Sequence, residues 1–198
     1  MNIATVETEL DDAVRELIRD VTIGLAASER VIPTLDVIAS KTGLSAAQIE
    51  THYPSMDHVA IEIEKVARGL FCGPESAMPR SGSLPEMFAE LAQLRAHYYE
   101  VAADFLHLGD AAARFLPSVA TSNAINAVRY RGRLSEMLEP HCLGQTAIVV
   151  AKVEMISSWD SWRHLRGVQR LSVEQAVEVI KSVLTAVASE VPQPVLAE

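Results

Sequence analysis

Apolar residues recur along this chain at intervals of three and four, the spacing of one face of an α-helix. Leu10, Val14, Leu17, Ile18, Val21 and Leu25 make the first stripe, with Arg15, Glu16 and Arg19 mainly on the other side. Pro33 ends that pattern. Thr34 is then placed to N-cap a short helix, Leu35 to Lys41, and Gly43 closes it with a residue that tolerates positive φ. Ser45 and Gln48 have capping-box spacing and open a second short helix, which Pro54-Ser55 breaks. Val59, Ile63, Val66 and Leu70 share a face of the longer helix that follows.

Residues 73–83 form the clearest loop, holding two prolines, two glycines and three serines. The expected division is a head over 1–53, a linking helix over 55–72 and a body over 83–190. Ser83 and Glu86 form another capping box, and Met87, Leu91, Leu94, Tyr98, Val101 and Phe105 continue from it as a helical stripe. Gly109 and Pro117 punctuate the next region. Long helices are expected from about Ser118 to Leu138 and from about Gln145 to Arg166, separated by a turn over Pro140 to Gly144. Ser172 and Gln175 cap the last helix, which carries Val173, Val177, Ile180, Leu184 and Val187. No alternating run bounded by hairpin turns occurs, so the expected fold class is all-α.

Composition narrows the function. The chain has 198 residues, half of them apolar, and a formal charge of −9. That balance argues against broad, non-specific affinity for nucleic acid, because phosphate contacts need Lys and Arg. Cys72 and Cys142 lack metal-ligand spacing and fit idle thiols in a reducing compartment. The first twelve residues turn acidic, unlike a signal peptide, and no run approaches the roughly 18 apolar residues of a membrane span. The expectation is a cytoplasmic protein with no membrane partner.

Two short helices meeting at the Gly43 turn, with Ile38, Ala39, Leu44 and Ile49 as the apolar contacts between them, follow helix-turn-helix logic. The run Thr34-Leu-Asp-Val-Ile-Ala-Ser-Lys-Thr-Gly-Leu-Ser, followed by Tyr53-Pro-Ser and Asp57-His-Val59, resembles the signature of the TetR (tetracycline-repressor) family. Trp159-Asp-Ser-Trp-Arg-His-Leu-Arg followed by Leu171-Ser-Val-Glu-Gln-Ala looks like the end of many TetR-like ligand domains. The resemblance implies about nine helices: three in a DNA-binding head, a fourth linking it to a ligand-binding body, and the last two long helices pairing with their mates in a homodimer. It also implies a ligand-responsive transcriptional regulator, a repressor, with duplex operator DNA and a small apolar ligand as partners and no cofactor.

On that reading the DNA-contact candidates are Thr34, Ser45, Gln48, Thr51, His52 and Tyr53. Gln48 has the donors and acceptors to read adenine, and the hydroxyls and helix N-terminus suit phosphate. For Gln48 the capping box is an equal claim, and for Tyr53 a core role outweighs a base contact. Two positions depart from the family. Glu50 stands where a backbone-contacting Tyr is usual, and Met56 where a phosphate-neutralising Lys is usual. From Met1 to Cys72, six Lys or Arg face twelve Asp or Glu, a balance of −6. These features raise the alternative of a TetR-like small-molecule-binding or interaction protein that no longer engages DNA.

Candidate ligand contacts in the body are Leu91, Leu94, Tyr98, Phe105, His107, Arg129, Met155 and Trp159. Most of such a stripe is ordinarily core; the polar members are the better clues, since buried polar groups need partners. His107 and Asp110 are spaced to orient an imidazole for base work, but no nucleophile set, metal spacing or phosphate loop accompanies them. No catalytic or metal-binding residue is therefore expected, and an enzyme on the same fold stands only as a further alternative.

Overall fold

A computed structural model describes residues 3–29, 31–71, 78–142 and 144–191 of the chain. Among them are nine α-helical segments and no strand: α1 Ile3–Glu29, α2 Leu35–Thr42, α3 Ala46–His52, α4 Met56–Phe71, α5 Leu84–Ala112, α6 Pro117–Leu138, α7 Thr146–Ile156, α8 Trp159–Arg163 and α9 Val173–Glu190. A 3₁₀ turn, Glu139–His141, follows α6, and a π turn, His164–Val168, follows α8. The fold is all-α. Cys72 and most of the loop before Met78 lie outside the described residues.

Two compact units divide the chain. The first comprises Met1–Leu70 and Asp104–Ala124, the second Phe71–Ala103 and Ile125–Glu198. The first unit therefore takes in nearly all of α4, the end of α5 and the beginning of α6.

In the first unit α1 to α4 each contribute to one core. Ile18, Leu25, Ile38, Ile49, Tyr53, Val59 and Ile63 are buried there, with Val14, Val21, Leu35, Leu44, Met56 and Phe105 packed against them. Two members of the expected α1 stripe stay outside it: Leu10 and Leu17 are exposed. The buried line runs through Val14, Ile18, Val21 and Leu25, and at 100° per residue Leu17 falls on its flank. The caps expected from sequence are present. Thr34 accepts from Val37 N–H, Gly43 sits at φ 73° with its N–H on Ala39 O, and Ser45 and Gln48 exchange capping-box hydrogen bonds. Gly43 is required there, because an L side chain is strained at that φ.

In the second unit α5, α6, α7 and α9 bury Phe88, Leu91, Leu134, Leu138, Val153, Ile180 and Leu184. Two boundaries differ from expectation. Gly109 does not end α5, which runs on to Ala112; a single helical glycine costs only about 1 kcal/mol, and packing overrides it. The helix expected over Gln145 to Arg166 is instead broken after Ile156. Ser157 Oγ donates to Val153 O at 2.6 Å, and Ser158 Oγ accepts from Ser161 N–H at 3.1 Å, recapping the chain into α8. Pro117 opens α6, where its missing N–H has no partner to lose.

Candidate functional site

The first unit presents α3 on its surface. Ile49 anchors that helix in the core, while Ser45, Ala46, Ala47, Gln48, Glu50 and Thr51 are exposed. Of the six DNA-contact candidates, Thr34, Ser45, Gln48 and Thr51 lie on the surface and His52 is half-buried. Tyr53 is different: it is 2% exposed and belongs to the core. A side chain so enclosed presents no surface to a groove, so Tyr53 is a packing residue rather than a contact. Several of the others are committed locally. Gln48 Oε1 accepts from Ser45 N–H at 2.9 Å, and Thr51 Oγ1 donates to Ala47 O at 2.8 Å. His52 Nδ1 lies 2.7 Å from Asp11 Oδ1, off the line of a hydrogen bond.

The cations of this unit are largely matched by its carboxylates. Arg15 meets Asp11 at 3.3 Å, and Arg19 meets Glu16 and Asp20, each at 3.0 Å. Lys41 is exposed at the end of α2, with no ion pair among the described residues. Met56 packs against the core, which accounts for an apolar side chain at that position.

A second feature of this unit has no signature in the sequence. Asp57 Oδ1, near the start of α4, accepts from Ser118 N–H at 3.2 Å and from Ser118 Oγ at 2.5 Å. The carboxylate thereby caps the N-terminus of α6, where free N–H groups and the helix dipole favour negative charge. Further along α4, Glu64 accepts from Ser122 Oγ, and Arg68 Nη2 bridges Glu64 and Ser122, the latter at 3.0 Å. These serines carry no family signal, and their partners are some 60 residues away.

Comparison of the chain with family models, with curated proteins and with solved structures finds no match in any of the three.

The second unit holds a buried cation. Arg95, on α5, is 4% exposed. Its guanidinium carbon stands 4.2 Å from the ring centre of Tyr130, 4.5 Å from that of Tyr99 and 5.5 Å from that of Tyr98. Its Nη2 donates to Tyr99 Oη, which in turn donates to Ser157 O at 2.7 Å. Tyr130 Oη and Ser157 Oγ share a hydrogen bond of 2.8 Å. Burial pushes the Tyr99 hydroxyl well above its ordinary value of 10, against the opposing pull of Arg95, so it stays protonated and donates. The break after α7 is what aims Ser157 at this cluster. The sequence stripe points to Tyr98 and passes over Arg95, Tyr99, Tyr130 and Ser157. The i, i+4 spacing of Arg95 and Tyr99 is the one signal that could have found them.

The eight ligand candidates do not converge. Leu91 is core, and Leu94 and Tyr98 are half-buried on α5. The Trp159 ring lies tilted against Tyr99, with ring centres 5.5 Å apart. Arg129 is exposed and Met155 is 66% exposed, so neither faces an interior. Phe105 packs on the core of the first unit, and His107 belongs to that unit too. The sequence stripe along α5 serves different cores at its two ends because the helix is 29 residues long.

Beside the cluster, Glu100 accepts from Trp162 Nε1 at 3.0 Å and from Arg166 Nε at 3.0 Å, tying the turn after α8 to α5. The hydrogen bond from Arg166, ahead of that from Trp162, holds the Glu100 carboxyl below its ordinary 4.5. A lowered carboxyl stabilises the fold above the unfolded-state pKa and loses that contribution as pH falls through the folded one. Wild type is therefore expected to melt above Glu100→Gln at pH 7, with the gap closing below pH 4.5. Thermal unfolding across pH 7 to 3 measures it, and a gap that persists unchanged at pH 3 contradicts the assignment.

Proposed function

We propose that this protein is a TetR-like, ligand-responsive transcriptional regulator, acting as a repressor and binding DNA as a homodimer. The observation that carries the reading is the α2–α3 pair. Both helices are capped, joined through a left-handed Gly43, held by Ile38 and Ile49, and arranged with Ser45, Gln48 and Thr51 outward. That is the construction by which a second short helix meets a major groove. In this mechanism a ligand bound by the body shifts α6, and the Asp57–Ser118 and Glu64–Ser122 ties pass the shift to α4 and so to α3.

The dimer surface in this reading is the outer side of α7 and α9. The two helices pack on each other, and each leaves apolar residues exposed at helical spacing: Ile148 and Met155 on α7, Val179 and Val183 on α9. Met155→Glu combined with Val183→Glu is expected to convert a dimer to a monomer, read as a halved mass by light scattering. An unchanged dimeric mass in that variant, or a monomeric wild type at micromolar concentration, rejects this surface.

Exposed Glu50 favours a second reading, in which the same fold binds small molecules or partners and does not engage DNA. On α3 it would face phosphates, and like charges brought together at an interface cost up to several kcal/mol. Fluorescence anisotropy with DNA flanking its own gene, at low salt, separates the two. Binding at or below micromolar protein, weakening steeply as salt rises, supports the repressor. Absence of binding by wild type, with binding gained by Glu50→Gln, supports the second reading.

A further inference from the structure

The second unit also contains a cleft of about 480 Å³, formed where the segment leading into α5 faces the end of α6 and the 3₁₀ turn after it. Its size lies within the roughly 300–1,000 Å³ of small-molecule sites.

Two kinds of side chain line this cleft. Met78 and Met137, both half-buried, supply apolar surface, with Met87 buried at the wall; methionine is unbranched and polarizable, so it adapts to a flexible guest. Arg80, Arg133 and His141 supply hydrogen-bond donors. The lining carboxylate, Glu136, is engaged by Arg133 at 3.0 Å. Arg80 is exposed and has no ion pair among the described residues. Among the side chains that line the cleft, Arg80 and Arg133 against Glu136 leave one formal positive charge, with the Glu86 carboxylate held on Ser83 behind the lining. Its wall is pre-set. Gly82 holds φ 135°, and Ser83 N–H donates to Glu86 at 2.9 Å, which pins the Arg80 segment to the start of α5.

We propose that this cleft binds a small amphipathic carboxylate, its head group on Arg80 and its apolar chain along Met78 and Met137. A bidentate guanidinium–carboxylate contact gives the head group its orientation. The cation in the cleft disfavours amines, and a neutral alcohol forgoes the charge-assisted bonds. The binding rests on the body alone, whatever the head does with DNA.

The test is calorimetric titration of the full chain with octanoate, 1-octanol, octylamine and acetate. Octanoate is expected to bind about tenfold more tightly than 1-octanol, the equivalent of one charge-assisted hydrogen bond. Octylamine and acetate are expected not to bind at millimolar concentration. Arg80→Gln should bring octanoate down to the affinity of 1-octanol. Met137→Trp should abolish binding by filling the cleft; circular dichroism checks its fold, and the exposed Arg80→Gln decides the matter if that variant is unfolded. Equal binding of octanoate and 1-octanol, unaltered binding by Arg80→Gln, acetate binding as tight as octanoate, or no octanoate binding each overturns the proposal. No arm of the titration involves DNA, so its failure leaves the regulator reading standing, and the reverse holds as well.

Discussion

Arg95→Ala is expected to destabilise the second unit by about 3–5 kcal/mol, the range for breaking a buried, hydrogen-bonded charge network. Three losses combine. The guanidinium leaves three tyrosine rings that it faces at 4.2 to 5.5 Å, and desolvated cation–π contacts are worth up to about 2 kcal/mol. Its hydrogen bonds to Tyr99 Oη and to Ser157 O, the latter at 3.4 Å, disappear. The long apolar stem leaves a void between α5 and the chain around Ser157. Arg95→Lys keeps the charge but not the planar fork, so it should recover only part of the loss. Tyr130→Phe, which removes one hydrogen bond to Ser157 Oγ, should cost about 1 kcal/mol. Urea unfolding followed by tryptophan fluorescence reports on this region directly. The chain has two tryptophans, and both Trp159 and Trp162 lie against Tyr99. A loss below about 1 kcal/mol for Arg95→Ala would remove the cluster from any structural role, since that is the scale of a single ordinary hydrogen bond.

Tyr53 carries the second large effect. Tyr53→Ala empties a position that α1, α3 and α4 all pack around, and aromatic-to-alanine changes in cores cost about 3–5 kcal/mol. Tyr53→Phe should cost less than about 1 kcal/mol, because the hydroxyl reaches Arg15 O only at 3.5 Å, the limit of a hydrogen bond. Circular dichroism during urea unfolding measures both. The pair of variants also separates packing from recognition. A Phe variant of normal stability that alters DNA affinity would give the Tyr53 hydroxyl a contact role that its burial argues against.

The helices, and several of their ends, are legible in residue type and spacing. Thr34, Gly43, Ser45 with Gln48, and Ser172 with Gln175 have the chemistry of caps, and each caps in the structure. Capping is local, completed within four residues, so the chain itself carries it. The break after Ile156 is equally local, with Ser157 Oγ on Val153 O and Ser158 capping α8, but two serines inside a helical pattern read equally well as helix surface. Ser157 also meets Tyr130, distant in sequence, and that contact has no signal in the spacing. The stripe from Leu91 to Phe105 likewise suggests one face of one pocket, yet its two ends meet different cores. Spacing along a helix says which residues share a side, not which neighbour that side meets at each level.

Periodicity and caps, then, determine from sequence alone an all-α chain with a capped α2–α3 pair and a Gly43 free to take a left-handed turn. Those properties depend on φ, ψ and hydrogen bonds made between near neighbours. Tertiary structure alone decides that Met56 is a packing residue, that Asp57 caps α6, and that Tyr130 meets Arg95 from a second helix. Each of these depends on a partner tens of residues away, and a carboxylate, arginine or tyrosine looks the same in sequence whether it meets water or another side chain.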